Sequence, residues 1–529
     1  MSKGAADAKR NTVLGLAQAW VERMWPVVSR YMPVWLIGTT LLVYLMTMAP
    51  RLTWEHAGRD GGDLITAAFV MGVPHPPGYP TYMMLAIPFT RLPFGSVAWR
   101  VHLFSALASS ATVVLIYQIG LRLASDRRSR WTILGSAVGA LLLGFAPLFW
   151  GQALIAEVYA LHLFFISLVL LLMLRWRDGD GHLAWAALAF GVGMGDHITL
   201  SFLVPLILLM LVIGRHRLSL RSVAASAIAL AAGLLVYVYL PWRASTDPII
   251  NWGDPDTWDG FLWMITGEGY RRFFFALPVD ELGARLRDWW QLVGTQFPLV
   301  AWPLAVVGLW ALWRHDRWMS IGSLAVALIN LIYAIGYDTT DAFVLLLPVV
   351  LFVALWMGQG GGFFLAELQK MHEPNGRPSQ VARVLTVAVL LLPLVSLIDE
   401  WSGIDLTNDR DAETFAMEAF DTMEPGAMIV PGSDAHTFAL WYYRYVEGIR
   451  PDVPVVNYAM LGFEWYQNTI KSHHPDVVVP GQDGSRVTKL STILANLDRR
   501  PIYITEDEDD LPGLEITQLR EWLWQVSAP

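Results

Sequence analysis

Long apolar runs separated by short charged or Gly/Pro-bearing stretches dominate the first 400 residues. A helix needs about 20 apolar residues to cross the hydrocarbon of a bilayer. By that measure the runs 33–50, 98–123, 131–150, 153–174, 182–194, 199–213, 223–240, 297–313, 319–337, 343–357 and 382–398 predict about eleven spans. The fifth and sixth are short enough to form one broken hairpin instead. After residue 398 the pattern changes. Short apolar runs at 427–430, 453–456, 477–479 and 502–504 alternate with helical stretches such as 411–423 and 435–447, which predicts a small α/β domain with some parallel sheet. The expected fold is an α-helical polytopic membrane protein over residues 1–399 followed by an α/β domain over 400–529.

Charge orients this plan. Basic clusters at Lys3/Lys9/Arg10, Arg122/Arg127/Arg128/Arg130, Arg175/Arg177, Arg215/Arg217/Arg221, Arg314/Arg317 and Lys370/Arg377/Arg383 fall in alternate loops. Positive loops stay cytoplasmic. The loops 51–97 and 241–290, and the whole C-terminal domain, are therefore expected outside. Residues 1–30 are basic and lack a small-residue cleavage site, and read as a retained cytoplasmic tail. The acidic run Glu506–Asp510 reads as a solvated loop.

Composition excludes other classes. Apolar residues make up 55% of the chain and charged residues 16%, where soluble domains carry about 25% charge. So much apolar surface requires lipid around it. With no cysteine, disulfides, thiol catalysis, iron–sulfur clusters and Cys-ligated zinc are ruled out. The net charge of −9 offers no basic face to nucleic acid. The missing cysteines and the lack of an Asn-x-Ser/Thr sequon favour a bacterial cytoplasmic membrane.

The candidate chemistry gathers on the predicted outer side. Asp60 and Asp63 lie in the first outer loop, and Glu157 is expected about one turn inside the fourth span. Asp196-His197 links the fifth and sixth spans, and Asp338 and Asp341 link the ninth and tenth. An ionisable group at membrane depth is costly and faces a protein-lined cavity; for Glu157, a cap or partner on a neighbouring helix is an equal alternative. Arg243, and more weakly Arg271 and Arg272, run against the charge bias. A guanidinium there suits a lipid phosphate, although lipid headgroups or the acidic tail would also explain it. His75-Pro-Pro-Gly-Tyr-Pro80 is a stiff turn able to hold a nearby carboxylate in place. Gly358–Gly362 lacks the Lys-Ser/Thr of a phosphate loop and reads as a cytoplasmic helix end. His436 and His473-His474 show no metal-ligand spacing, Ser433-Asp434 reads as a helix N-cap, and no Gly-x-Ser-x-Gly elbow is present.

These residues resemble a known family. Asp60-Gly-Gly-Asp-Leu-Ile-Thr-Ala-Ala68, followed by Gly72-Val-Pro-His-Pro-Pro-Gly-Tyr-Pro80, is similar to the signature of the protein O-mannosyltransferase-like GT-C membrane family. The likeness continues at Ile155–Leu161, Tyr239–Ala244, Asn251–Thr257, Gly336–Phe343, Glu424–Ala427 and Tyr445–Asp452. Gly61 and Asp63 depart from the family's usual Ser and Glu. The resemblance implies an inverting glycosyltransferase that takes a sugar from a polyprenyl-phosphate donor to an acceptor hydroxyl on a protein or glycan, with protein O-mannosylation the analogous reaction. Asp60 matches the leading Asp of the motif and inherits the general-base role. The donor phosphate would fall to Arg243, aided by His197 or Arg271, while Asp63, Glu157, His75, Asp338 and Asp341 would shape the site. A divalent cation on oxygen ligands stays open. So do two other classes, a transporter or flippase for a lipid-linked precursor and an inactive subunit of a membrane complex.

Overall fold

The structure, a computed structural model, describes residues 2–371, 379–480, 487–506 and 511–529, with side chains from Arg23 onward. Arg377 and most of the acidic run Glu506–Asp510 lie outside the described residues, as do the side chains of Lys3, Lys9 and Arg10. Among the described residues seven helices are long and apolar enough to cross a membrane, or nine with two bent pairs counted as one span each. The bent pairs are Arg130–Gly144 with Pro147–Ala153, at 67°, and Leu282–Thr295 with Leu299–His315, at 84°. Pro147 and Pro298 sit at these breaks, where a missing N–H and a restricted preceding residue interrupt a helix. The short fifth and sixth runs form the helices Leu183–Met194 and Ile198–Ile213. Twelve residues at ~1.5 Å each rise only about 18 Å, so the first of these does not cross alone.

Among the described residues, the basic clusters at 122–130 and 175–177 and the loop at 314–317 come together. Arg122 pairs with Asp178 at 3.1 Å and Asp180 at 2.6 Å, and Arg177 reaches Asp316 at 2.5 Å. The expectation for Gly358–Gly362 is corrected. These glycines lie within the helix Leu347–Leu368 and let neighbouring backbones touch. A Cβ on Gly360 would stand 1.9 Å from the Leu304 carbonyl, and one on Gly308 only 1.7 Å from that of Trp356. Small residues permit this approach in membrane bundles, where no hydrophobic force draws helices together.

The C-terminal segment begins as the helix Gln380–Ile404 ends. Its sheet contains β1 (Met428–Val430), β2 (Ile502–Ile504), β3 (Glu515–Arg520) and β4 (Leu523–Ser527), in the order β1-β2-β4-β3. Only β1 and β2 are parallel. The runs 453–456 and 477–479 are not strands; Val455 makes one isolated parallel bridge to Ile429. The β3–β4 hairpin escapes sequence reading because β3 is largely exposed and polar. The segment docks tightly on the bundle. Ala98 N donates to the Tyr442 hydroxyl at 3.3 Å, Ser472 Oγ to Asp247 at 2.5 Å, and the rings of Trp252 and Trp465 lie 5.8 Å apart.

Candidate active site

The chain after the first span makes a tight turn, Glu55–Asp60, in which His56 and Ala57 adopt positive φ. It then enters the helix Gly61–Val70 with Asp60 as N-cap residue. This helix lies directly under the C-terminal segment: a Cβ on Gly62 would stand 2.4 Å from the Phe438 carbonyl. The next loop returns past Asp63. Val73 N donates to the Ile250 carbonyl at 2.8 Å and Trp252 N to that of Val73 at 3.1 Å, clamping the two long loops together. Gly78 takes φ +83° with Leu240 against it, where a Cβ would clash at 2.8 Å. These constraints fix His75.

Asp63 is fully buried and every contact it makes orients His75 or its surroundings. Its Oδ2 accepts from the His75 backbone N–H at 3.0 Å and lies 2.8 Å from His75 Nδ1; its Oδ1 accepts from Trp252 Nε1 at 3.2 Å. The other imidazole nitrogen, Nε2, points to Asp60 Oδ2 at 3.7 Å. The result is a carboxylate–imidazole–carboxylate row. Burial alone would depress the His75 imidazole, but Asp60 and Asp63 outweigh it and raise it to about 9, so at neutral pH it is a cation. Burial pushes the Asp60 carboxyl up to about 6 although His75 pulls it down. The part of Asp60 that remains exposed lines a cavity.

That cavity, about 1170 Å³, has two unlike ends. Phe202, Phe273, Phe274, Tyr333 and Tyr337 make an aromatic wall towards the spans, with the Phe274 ring 5.8 Å from that of Tyr333. Glu55, Arg59, Ser433, Asp434 and His436 make a polar wall beneath the C-terminal segment. Asp60, His75, His197 and Asp341 all line the same space. Burial pushes the Asp434 carboxyl up, against the pull of His75. Burial holds His197 down to about 4, and its Nδ1 lies 2.7 Å from the Thr199 hydroxyl.

Not every expected residue reaches the cavity. Arg243 spends its Nε on the Met71 carbonyl at 2.5 Å and stacks on Trp242. Arg271 is exposed between the cavity residues Tyr270 and Phe273. Asp338 donates its backbone N–H to the Phe273 carbonyl at 3.0 Å and pairs with Arg285 at 3.7 Å, which tethers the aromatic wall. Glu157 is corrected in position: it precedes the helix Tyr159–Asp178, in the break after Ala153. There it is buried, and its Oε1 has no protein partner. Arg59 and Asp434 line the cavity, although sequence reasoning places neither in the site. Arg59 adjoins Asp60 in the chain, a signal that was available. Asp434 adjoins the N-cap Ser433, whose Oγ accepts from His436 N; only the docking of two distant segments turns it towards His75. Among the described residues no three His, Asp or Glu side chains are grouped to hold a metal ion.

Comparison with known proteins agrees with this architecture. The model of the protein O-mannosyl-transferase TMEM260 N-terminal domain matches residues 60–220, and that of TMEM260-associated domain 2 matches residues 412–477. Protein O-mannosyl-transferase TMEM260 of Mus musculus is 28% identical over 455 residues, covering 80% of this chain and 62% of its own length. The Dictyostelium discoideum protein of the same name is 22% identical over 528 residues, covering 88% and 62%. This chain therefore spans about 62% of the length of these relatives. Among solved structures, ArnT from Cupriavidus metallidurans bound to undecaprenyl phosphate shares the fold, with a TM-score of 0.60, 14% identity and coverage of 94% of this chain and 97% of that one. By these matches the chain is similar to the protein O-mannosyl-transferase TMEM260 proteins over most of its length and shares the fold of ArnT.

Proposed function

We propose that this chain is an inverting glycosyltransferase that moves a sugar from a polyprenyl-phosphate donor to an acceptor hydroxyl, on the face that carries the C-terminal segment. The charge bias of the loops supports that face as extracytoplasmic. The names of the mouse and Dictyostelium relatives support mannose as the sugar and a protein hydroxyl as the acceptor. The observation that carries the reading is the Asp63–His75–Asp60 row, opening into a cavity that is aromatic on its membrane side and polar beneath the C-terminal segment.

In the proposed reaction Asp60 takes the proton of the acceptor hydroxyl as that oxygen bonds to the anomeric carbon. The bond from that carbon to the phosphate oxygen breaks, and the polyprenyl phosphate leaves with the electron pair. A base must be held in place and be unprotonated at working pH; Asp63 supplies the first by fixing His75, and the His75 cation favours the second. Arg59, the guanidinium that lines the cavity, takes the role of stabilising charge on the departing phosphate. Arg243 stands further out and is suited to lipid at the rim.

The test is transfer of labelled mannose from polyprenyl-phosphate mannose into membrane proteins by the purified, reconstituted chain. Asp60→Asn is expected to cut transfer by about 10²–10⁴-fold, the contribution typical of a positioned base, while extraction and folding stay normal. Near wild-type turnover in that variant would move the base elsewhere.

A further inference from the structure

A second cleft, of about 540 Å³, opens where the C-terminal segment meets the ends of the first two spans, and it is distinct from the catalytic cavity. Pro50, Arg51, Ser96 and Arg100 form one side, Arg410 and Glu447 the other. We propose that this cleft binds the headgroup of one ethanolamine phospholipid, with the arginines on the phosphodiester and Glu447 on the ammonium.

Position is the first argument. The helix of the first span ends at Thr47 and the second begins at Val97, so Pro50 and Ser96 mark the membrane–water boundary. Immediately below, Leu42, Leu45 and Met46 are exposed on the first span, an apolar strip suited to lipid chains. A lipid lying on that strip carries its phosphate to the level of Arg51.

Charge and rigidity are the second. Arg100 is built in: Nε donates to the Phe94 carbonyl at 2.8 Å, Nη1 to that of Thr90 at 2.8 Å and Nη2 to that of Gly95 at 3.0 Å. Backbone carbonyls hold it without cancelling its charge. Ser96 Oγ donates to the Pro50 carbonyl at 2.7 Å, locking the two span ends together. Arg51 and Arg410 share a single carboxylate, Glu413, at 3.5 and 3.7 Å, which leaves positive charge in excess. Guanidinium forks match phosphate oxygens. Glu447 accepts the Tyr442 hydroxyl with Oε1 at 2.5 Å, and its other oxygen suits a primary ammonium. A quaternary choline offers no such donor.

Native mass spectrometry of the detergent-extracted full chain, titrated with phosphatidylethanolamine, phosphatidylglycerol and phosphatidylcholine, tests this. One phosphatidylethanolamine should be retained about tenfold more tightly than either other lipid, the scale of one charge-assisted hydrogen bond. Arg51→Gln with Arg410→Gln should abolish retention. Glu447→Gln keeps an acceptor for Tyr442 and all three arginines, and should lower phosphatidylethanolamine to the level of phosphatidylglycerol. Equal retention of the three lipids, a preference that survives Glu447→Gln, or tighter binding of polyprenyl phosphate at the same arginines would each overturn the proposal.

Discussion

Asp60 and His75 divide the pH scale between them. In the proposed reaction Asp60, raised to about 6, would serve as a base only above that pH, and His75, raised to about 9, would stay cationic only below its own. A group with a raised value is protonated over a wider range, so activity should climb through about pH 6 and decline near about pH 9. A kcat/KM profile with those two limbs is the expected outcome. Asp63 acts through His75 and is a positioning residue. Asp63→Asn removes one of the two negative charges that raise the imidazole and leaves Asp60, so the alkaline limb should move down from about 9 while the acid limb stays near 6. An unmoved alkaline limb in that variant would separate His75 from the titration. At this scale one oxygen of Asp63 reaches both the backbone N–H and the ring nitrogen of His75.

Helix packing depends on glycine at two levels. Within the bundle, Gly308 and Gly360 bring the helices Trp302–His315 and Leu347–Leu368 into backbone contact. Gly360→Val forces them apart and should lower stability by about 1–3 kcal/mol, the usual cost of overpacking, readable as a lower unfolding temperature in detergent. Nearer the site, Gly62 lets the helix that follows Asp60 touch the Phe438 backbone. Gly62→Ala should damage transfer more than stability, because the displaced element carries Asp60 and Asp63 themselves; assay and melting curve on the same preparation distinguish the two effects. The glycine run at 358–362 shows why periodicity alone misleads here. In a soluble helix such a run marks an end, whereas in a bundle it is an interface.

For the whole molecule, the cavity has walls from both parts of the chain. Tyr79, Tyr159 and Tyr337 come from the membrane part, and Ser433, Asp434 and Phe438 from the C-terminal segment. With Tyr442, Trp465 and Ser472 also docked on the bundle, the two parts should unfold in one cooperative transition. Scanning fluorimetry should show a single step, and limited proteolysis should release no stable fragment beginning near Asp405. Two well-separated steps would mean that the polar wall is a loosely seated cover.

The amino-acid order by itself determined the membrane class, the approximate course of the spans and the side on which the acidic residues collect. Those properties follow from apolar run length and loop charge, which are local. It also marked Asp60, Asp63 and His75, because the two carboxylates are followed, 12 residues after Asp63, by the stiff proline-rich turn that begins at His75. Tertiary structure decided which charges share a space. Arg243 turned to a backbone carbonyl, Glu157 fell into a break between helices, and Arg59 and Asp434 entered the cavity. The β3–β4 hairpin was likewise invisible to a search for apolar runs, since its pairing is made by backbone groups that every residue carries. Side-chain direction in such places is set by contacts between segments hundreds of residues apart, and no periodicity along the chain encodes them.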